Sequence, residues 1–146
     1  MTRQLRGGGD EIAVVLDASA LAAYVAGQVS VGELIAEVTE ERRLVGVPAA
    51  CLAAAHAATD EVGAALLMLL ATAPTVLVLP LGADGELPAD EVRQVGALAR
   101  DAGGDLAVGH AARAALACGA HYATAEPDRV SLVLPPGWSV LDLRET

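Results

Sequence analysis

The chain contains no lysine and no phenylalanine, one tryptophan, two tyrosines and two cysteines in 146 residues. The missing lysine and the few cysteines each remove a class of function. Without lysine there is no phosphate-binding loop of the kind whose lysine reaches the β- and γ-phosphates. Receiver domains and haloacid-dehalogenase-type phosphatases, which set a lysine beside their aspartates, are excluded with it. Cys51 and Cys118 lie in separate alanine-rich helical patterns and have no close Cys or His pairing for a metal site. They read as packed thiols of a reducing compartment, the cytoplasm. Apolar runs are short as well. The longest, around Ala64 to Ala73, is bounded by Asp60-Glu61 and Pro74 and falls below the roughly 18 residues that mark a membrane span. No membrane association is expected, and nothing after the first ten residues is long enough for a signal peptide.

What the chain does have is a large apolar fraction, 54%, with a mean hydropathy of +0.48, enough for one domain with its own core built from Leu, Val and Ala. Residues 1–10, with two Arg and three Gly, read as a flexible N-terminal tail, and residues 11–146 as a single domain. The net charge is −10. That balance argues against broad nonspecific binding of nucleic acid. It suits a basic protein partner, or a site where bound cations offset the charge locally.

Strand-like and helix-like segments alternate along the chain, which predicts an α/β domain with a mainly parallel sheet. Strands are expected at Ile12 to Leu16, Leu44 to Val47, Val76 to Leu79, His121 to Ala125 and near Ser139 to Leu143. Val76 to Leu79 is apolar throughout, as for a strand covered on both faces. Helices are expected between these segments. Ser30-Val31-Gly32-Glu33 matches a capping box. Pro48 suits a first helical turn, Thr59-Asp60 a break and new cap, and Gly103-Gly104 and Gly119 helix stops. Gly82 to Pro88 reads as a loop, and the helix Val62 to Leu70 as either core or a dimer face.

Two acids stand out. Asp17 ends the apolar run Ile12-Ala13-Val14-Val15-Leu16 and opens a helix, the position where open α/β sheets place their chemistry. Asp105 has a similar setting after Gly103-Gly104. Both residues also suit ordinary helix capping. His56, His110 and His121 lie in separate segments and do not form a metal set.

The order of these pieces resembles the PIN domain, the fold of VapC-type toxin ribonucleases. The resemblance is carried by Val14-Val15-Leu16-Asp17-Ala18-Ser19-Ala20-Leu21, by Val47-Pro48-Ala49-Ala50-Cys51-Leu52-Ala53-Ala54-Ala55, by Asp105-Leu106-Ala107-Val108-Gly109-His110-Ala111-Ala112, and by Tyr122-Ala123-Thr124-Ala125-Glu126-Pro127-Asp128. It implies a three-layer α/β/α sandwich and cleavage of RNA by an endonuclease that uses Mg²⁺ or Mn²⁺. Asp17 and Asp105 are then the metal-site acids, with Glu126 as a third catalytic acid. Ser19, Thr124 and Asp128 stand behind them, and Arg113 and Arg129 are candidates for contact with the RNA phosphate. Two positions depart from the family pattern: Ala54 stands where the second acid is expected, and Glu126 where Asp is usual. The resemblance therefore implies weak or absent metal binding and leaves two readings open. One is a toxin-type endoribonuclease of reduced activity. The other is a catalytically impaired PIN-fold protein that binds a protein or RNA partner, with a basic antitoxin-like protein and a second copy of the chain as candidate partners.

Overall fold

The computed structural model describes residues 11–82 and 87–144. The expected N-terminal tail and the middle of the Gly82 to Pro88 loop lie outside the described residues. Five strands form one parallel sheet: β1 (Ile12–Leu16), β2 (Leu44–Pro48), β3 (Val76–Leu79), β4 (His121–Thr124) and β5 (Val140–Asp142), in the order β3-β2-β1-β4-β5. Seven helices are present among the described residues: α1 (Ala18–Val25), α2 (Val29–Glu40), α3 (Ala49–Ala57), α4 (Glu61–Ala71), α5 (Pro88–Arg100), α6 (Leu106–Cys118) and α7 (Pro127–Val130). They flank the sheet in a three-layer α/β/α arrangement. No single helix among the described residues is long and apolar enough to cross a membrane.

The sequence patterns explain this layout. β1 is central, and its Val14, Val15 and Leu16 are buried, as continuous apolar strands in a helix-covered parallel sheet should be. Helix α6 lies across β1, β2 and β4, and its many alanines allow the close approach. Gly109 takes this furthest. A Cβ there would collide with the Val95 carbonyl and the Ala99 side chain of α5. Gly119 closes α6 in the left-handed conformation at φ 64°, as a helix stop requires. The one large aromatic of the core is Tyr122 on β4, fully buried.

Three local expectations are corrected. β3 is an edge strand, and only Val76 of its four residues is buried, the other three being partly exposed where one side of the strand has no neighbour. Ser30 does not cap α2; the cap position is Gln28, and the Ser30 hydroxyl donates instead to the Leu143 carbonyl at 3.1 Å. Pro48 is the last residue of β2 and the cap of α3 rather than part of its first turn.

The strand order positions the site. From β1 the chain moves outward to β2 and β3, then crosses back to place β4 on the other side of β1. The carboxyl ends of β1 and β4 therefore flank a topological switch point, where loops diverge and leave a crevice. Asp17 follows β1, and Thr124 to Glu126 end and follow β4.

Candidate functional site

A cleft of about 360 Å³ opens at this switch point. Asp17, Asp105, Glu126 and Arg129 line it together with Ser19, Thr59 and a wall of small apolar side chains that includes Ala22, Ala54 and Ala58. Asp17 and Asp105, distant in sequence, thus face one cavity.

Each acid owes its position to a helix start. Asp17 caps α1: its Oδ1 accepts from the Ala20 backbone N–H at 2.9 Å and from the Ser19 hydroxyl at 2.7 Å. Asp105 caps α6, its Oδ1 accepting from Val108 N–H at 3.1 Å. The capping reading and the cleft reading of these acids therefore hold together, since a residue that caps a helix at the rim of the sheet also presents a carboxylate to the crevice.

Behind Asp17 runs a short polar chain. The Ser19 hydroxyl lies 3.0 Å from the Thr124 hydroxyl and accepts from Ala125 N–H at 2.9 Å. Ser19 has one proton, which goes to Asp17, so Thr124 donates to Ser19. The Thr124 oxygen in turn accepts from Glu126 N–H at 2.9 Å. This chain pins the β4 corner to the start of α1. Ser19 thus sits against Asp17, and Thr124 against Ser19.

Asp17 is only 2% exposed. Burial pushes its carboxyl above the ordinary value of 3.8, and outweighs the opposing hydrogen bonds from Ser19 and Ala20 and the smaller effect of the nearby Thr124 and Tyr122 hydroxyls. The buried Tyr122 hydroxyl is near enough to Asp17 to favour its charged form slightly, although no hydrogen bond of full geometry closes between them. Burial also drives the Tyr122 hydroxyl and the Cys51 thiol well above their usual values, and the charges of Asp17 and Asp105 add to both shifts. Tyr122 and Cys51 are thus buried close enough to both acids to feel their charge. Cys51 donates to the Ala107 carbonyl at 3.1 Å and is inert there.

Arg129 enters the cleft from α7. Its Nη2 lies 2.9 Å from Asp105 Oδ2, and its Nη1 lies 3.5 Å from Glu126 Oε1. One guanidinium therefore ties two of the three acids together. The remaining candidates lie elsewhere. Arg113 lies in a separate groove between α5 and α6, donating to Gln94 Oε1 at 2.6 Å, and does not line the acidic cleft. Asp128 is exposed on α7, on the Arg144 side, and does not line it either.

His110 is a buried residue the sequence offered little reason to single out. Its Nδ1 accepts from Ala50 N–H at 3.3 Å at the start of α3. Burial, with a smaller effect of Arg113, lowers its pKa against the opposing pull of Glu91, so it serves as a neutral acceptor under α3.

A small divalent cation takes hard oxygen ligands with free lone pairs and needs several of them, or waters, in close array. Here Asp105 spends one oxygen on the α6 cap and the other on Arg129, and Glu126 is shared with Arg129. Ala54 presents a methyl to the cleft. Among the described residues no group of three or more His, Cys, Asp or Glu is arranged to share a metal ion. In this arrangement the donor set does not fit a tightly held divalent cation. No family model matches the chain, and no curated protein matches it significantly.

Proposed function

We propose that the chain is a PIN-type domain whose metal-dependent endoribonuclease site is impaired, and that it acts by binding a basic protein partner. The observation that carries this reading is the Arg129 guanidinium on Asp105 and Glu126, in a cleft where Ala54 supplies no fourth carboxylate. Hydrolysis of a phosphodiester in such a cleft needs a cation to neutralise the phosphate and to acidify water. Of the three acids, Asp17 alone is not paired with an arginine among the described residues. The net charge of −10 supports a basic partner over RNA, whose phosphates it repels. The exposed Val62, Met68 and Leu69 of α4 support self-association as a homodimer. Both cysteines are free, which suits the cytoplasm.

A second reading, a weakened endoribonuclease of the VapC toxin kind, is favoured by Asp17 itself. A carboxylate kept at a buried position against its desolvation cost, and held there by Ser19 and Thr124, is the kind of group that catalytic sites retain. In that reading Asp17 and Asp105 would hold Mg²⁺ or Mn²⁺ and Glu126 would assist.

Purified full-length chain incubated with RNA and either Mg²⁺ or Mn²⁺ separates the two. The impaired reading expects no metal-dependent cleavage beyond that of Asp17→Ala. Cleavage by the wild type that disappears in Asp17→Ala overturns it in favour of the enzyme.

A further inference from the structure

We infer that Arg129 is the resident cation of the cleft: its guanidinium holds Asp105 and Glu126 in place of a metal ion, and a divalent cation enters only by displacing it. The inference deepens the impaired-site reading and rests on it for the class of ligand.

The geometry leads there from two directions. Glu126 and Arg129 are three residues apart across the single turn of α7, so their side chains lie on one side of that turn. Asp105 arrives independently, as the cap of α6, with one oxygen left after it accepts from Val108. Two carboxylates from separate elements crowd one rim and repel each other unless a positive charge lies between them. A planar guanidinium can address both at once, whereas a lysine ammonium is a point charge.

The tie is also built to be exchangeable. The Arg129 side chain is 45% exposed and Glu126 54%, against 26% for Asp105. Ion pairs with that much solvent hold their partners weakly. Arg129 therefore neutralises the rim without locking it, and a dication competes for the same oxygens against one unit of positive charge.

Calorimetric titration of Mn²⁺ alone into the full chain tests this, with Tm followed in parallel. Removing one positive charge at contact distance is expected to raise Mn²⁺ affinity about tenfold in Arg129→Gln over the wild type. The Tm of the variant should then rise with added Mn²⁺ under conditions where that of the wild type does not. Arg129→Lys, which cannot bridge both acids, is expected to fall between the two, and it decides the matter if Arg129→Gln does not fold. Equal affinities across the wild type and the folded variants overturn the inference, as does tight binding by the wild type. A wild type that cleaves RNA while Arg129→Gln still binds Mn²⁺ more tightly overturns the impaired reading and leaves this inference standing. A gain seen in Ala54→Glu but in neither Arg129 variant overturns this inference and leaves the impaired reading standing.

Discussion

Arg129 and Asp105 meet at 2.9 Å across the mouth of the cleft, although a whole helix and strand separate them in the chain. Asp105 starts α6 at the carboxyl edge of the sheet. The helix runs away from that edge, β4 returns to it, and Arg129 stands just past the corner. The pair closes this helix–strand unit at its open end. It also satisfies the acid that the resemblance assigns to metal binding.

On the proposed reading, a carboxylate at residue 54 should strengthen metal binding in the cleft. Ala54 is exposed on α3 and lines the cleft, so Glu can enter without disturbing the core. A surface change of this kind is expected to alter stability by no more than about 0.5 kcal/mol. Ala54→Glu is expected to bind Mn²⁺ more tightly than the wild type in calorimetry, and to gain further when combined with Arg129→Gln. No gain in either form would show that the cleft is not organised around that position.

Asp17 should weaken the fold at neutral pH. Its carboxyl holds a proton more tightly in the folded chain than at its ordinary value of 3.8, because burial disfavours the charge. The folded state therefore binds more protons than the unfolded state between 3.8 and the raised value. Stability falls as pH rises through that window, and the full loss persists above it. Asn keeps the capping acceptor without the charge. Asp17→Asn is expected to have a higher Tm than the wild type at neutral pH, with the gain vanishing as the pH is lowered through the window. A lower Tm at neutral pH would mean that the charge itself holds the cleft together.

The α5–α6 contact should be intolerant of one methyl group. Gly109→Ala places a Cβ against the Val95 carbonyl and the Ala99 Cβ at 2.8 Å, and backbone cannot give way as a flexible side chain does. Overpacking of this sort costs about 1–3 kcal/mol. Thermal unfolding should show a drop in Tm of several degrees; an unchanged Tm would mean that the two helices separate freely.

Helix α4 divides its apolar residues between two roles. Leu67 and Leu70 are buried in the core, while Val62, Met68 and Leu69 face solvent. If the exposed set is the proposed dimer face, Leu69→Glu is expected to shift the sedimentation of the chain from dimer to monomer and leave its Tm little changed. A wild type that sediments as a monomer at all concentrations removes that role.

Much of this architecture was legible in the sequence because short-range chemistry decides it. The run Ile12–Leu16 and the caps Asp17, Asp60 and Asp105 needed no tertiary information, and each cap accepts the backbone hydrogen bond its position implies. Ser30 shows the limit: its motif fits a capping box, but the Leu143 carbonyl from the far end of the chain takes its proton. The edge position of β3 was hidden for the same reason, since composition does not reveal which strand lacks a neighbour. At the site, Asp17 and Asp105 could be named in advance because they stand at element ends, whereas Ser19 and Thr124 are named only through the family resemblance. The direction of an arginine could not be named in advance. Arg113 turned to Gln94 and Arg129 to Asp105, and only the assembled fold sets which acceptor each side chain can reach.

The central claim is most directly tested by diffraction from crystals of the wild-type chain equilibrated with millimolar Mn²⁺, using anomalous scattering to find the metal. The proposed account predicts no anomalous peak in the cleft and a guanidinium still seated on Asp105. A strong peak between Asp17 and Asp105, with Arg129 swung out to solvent, would contradict it.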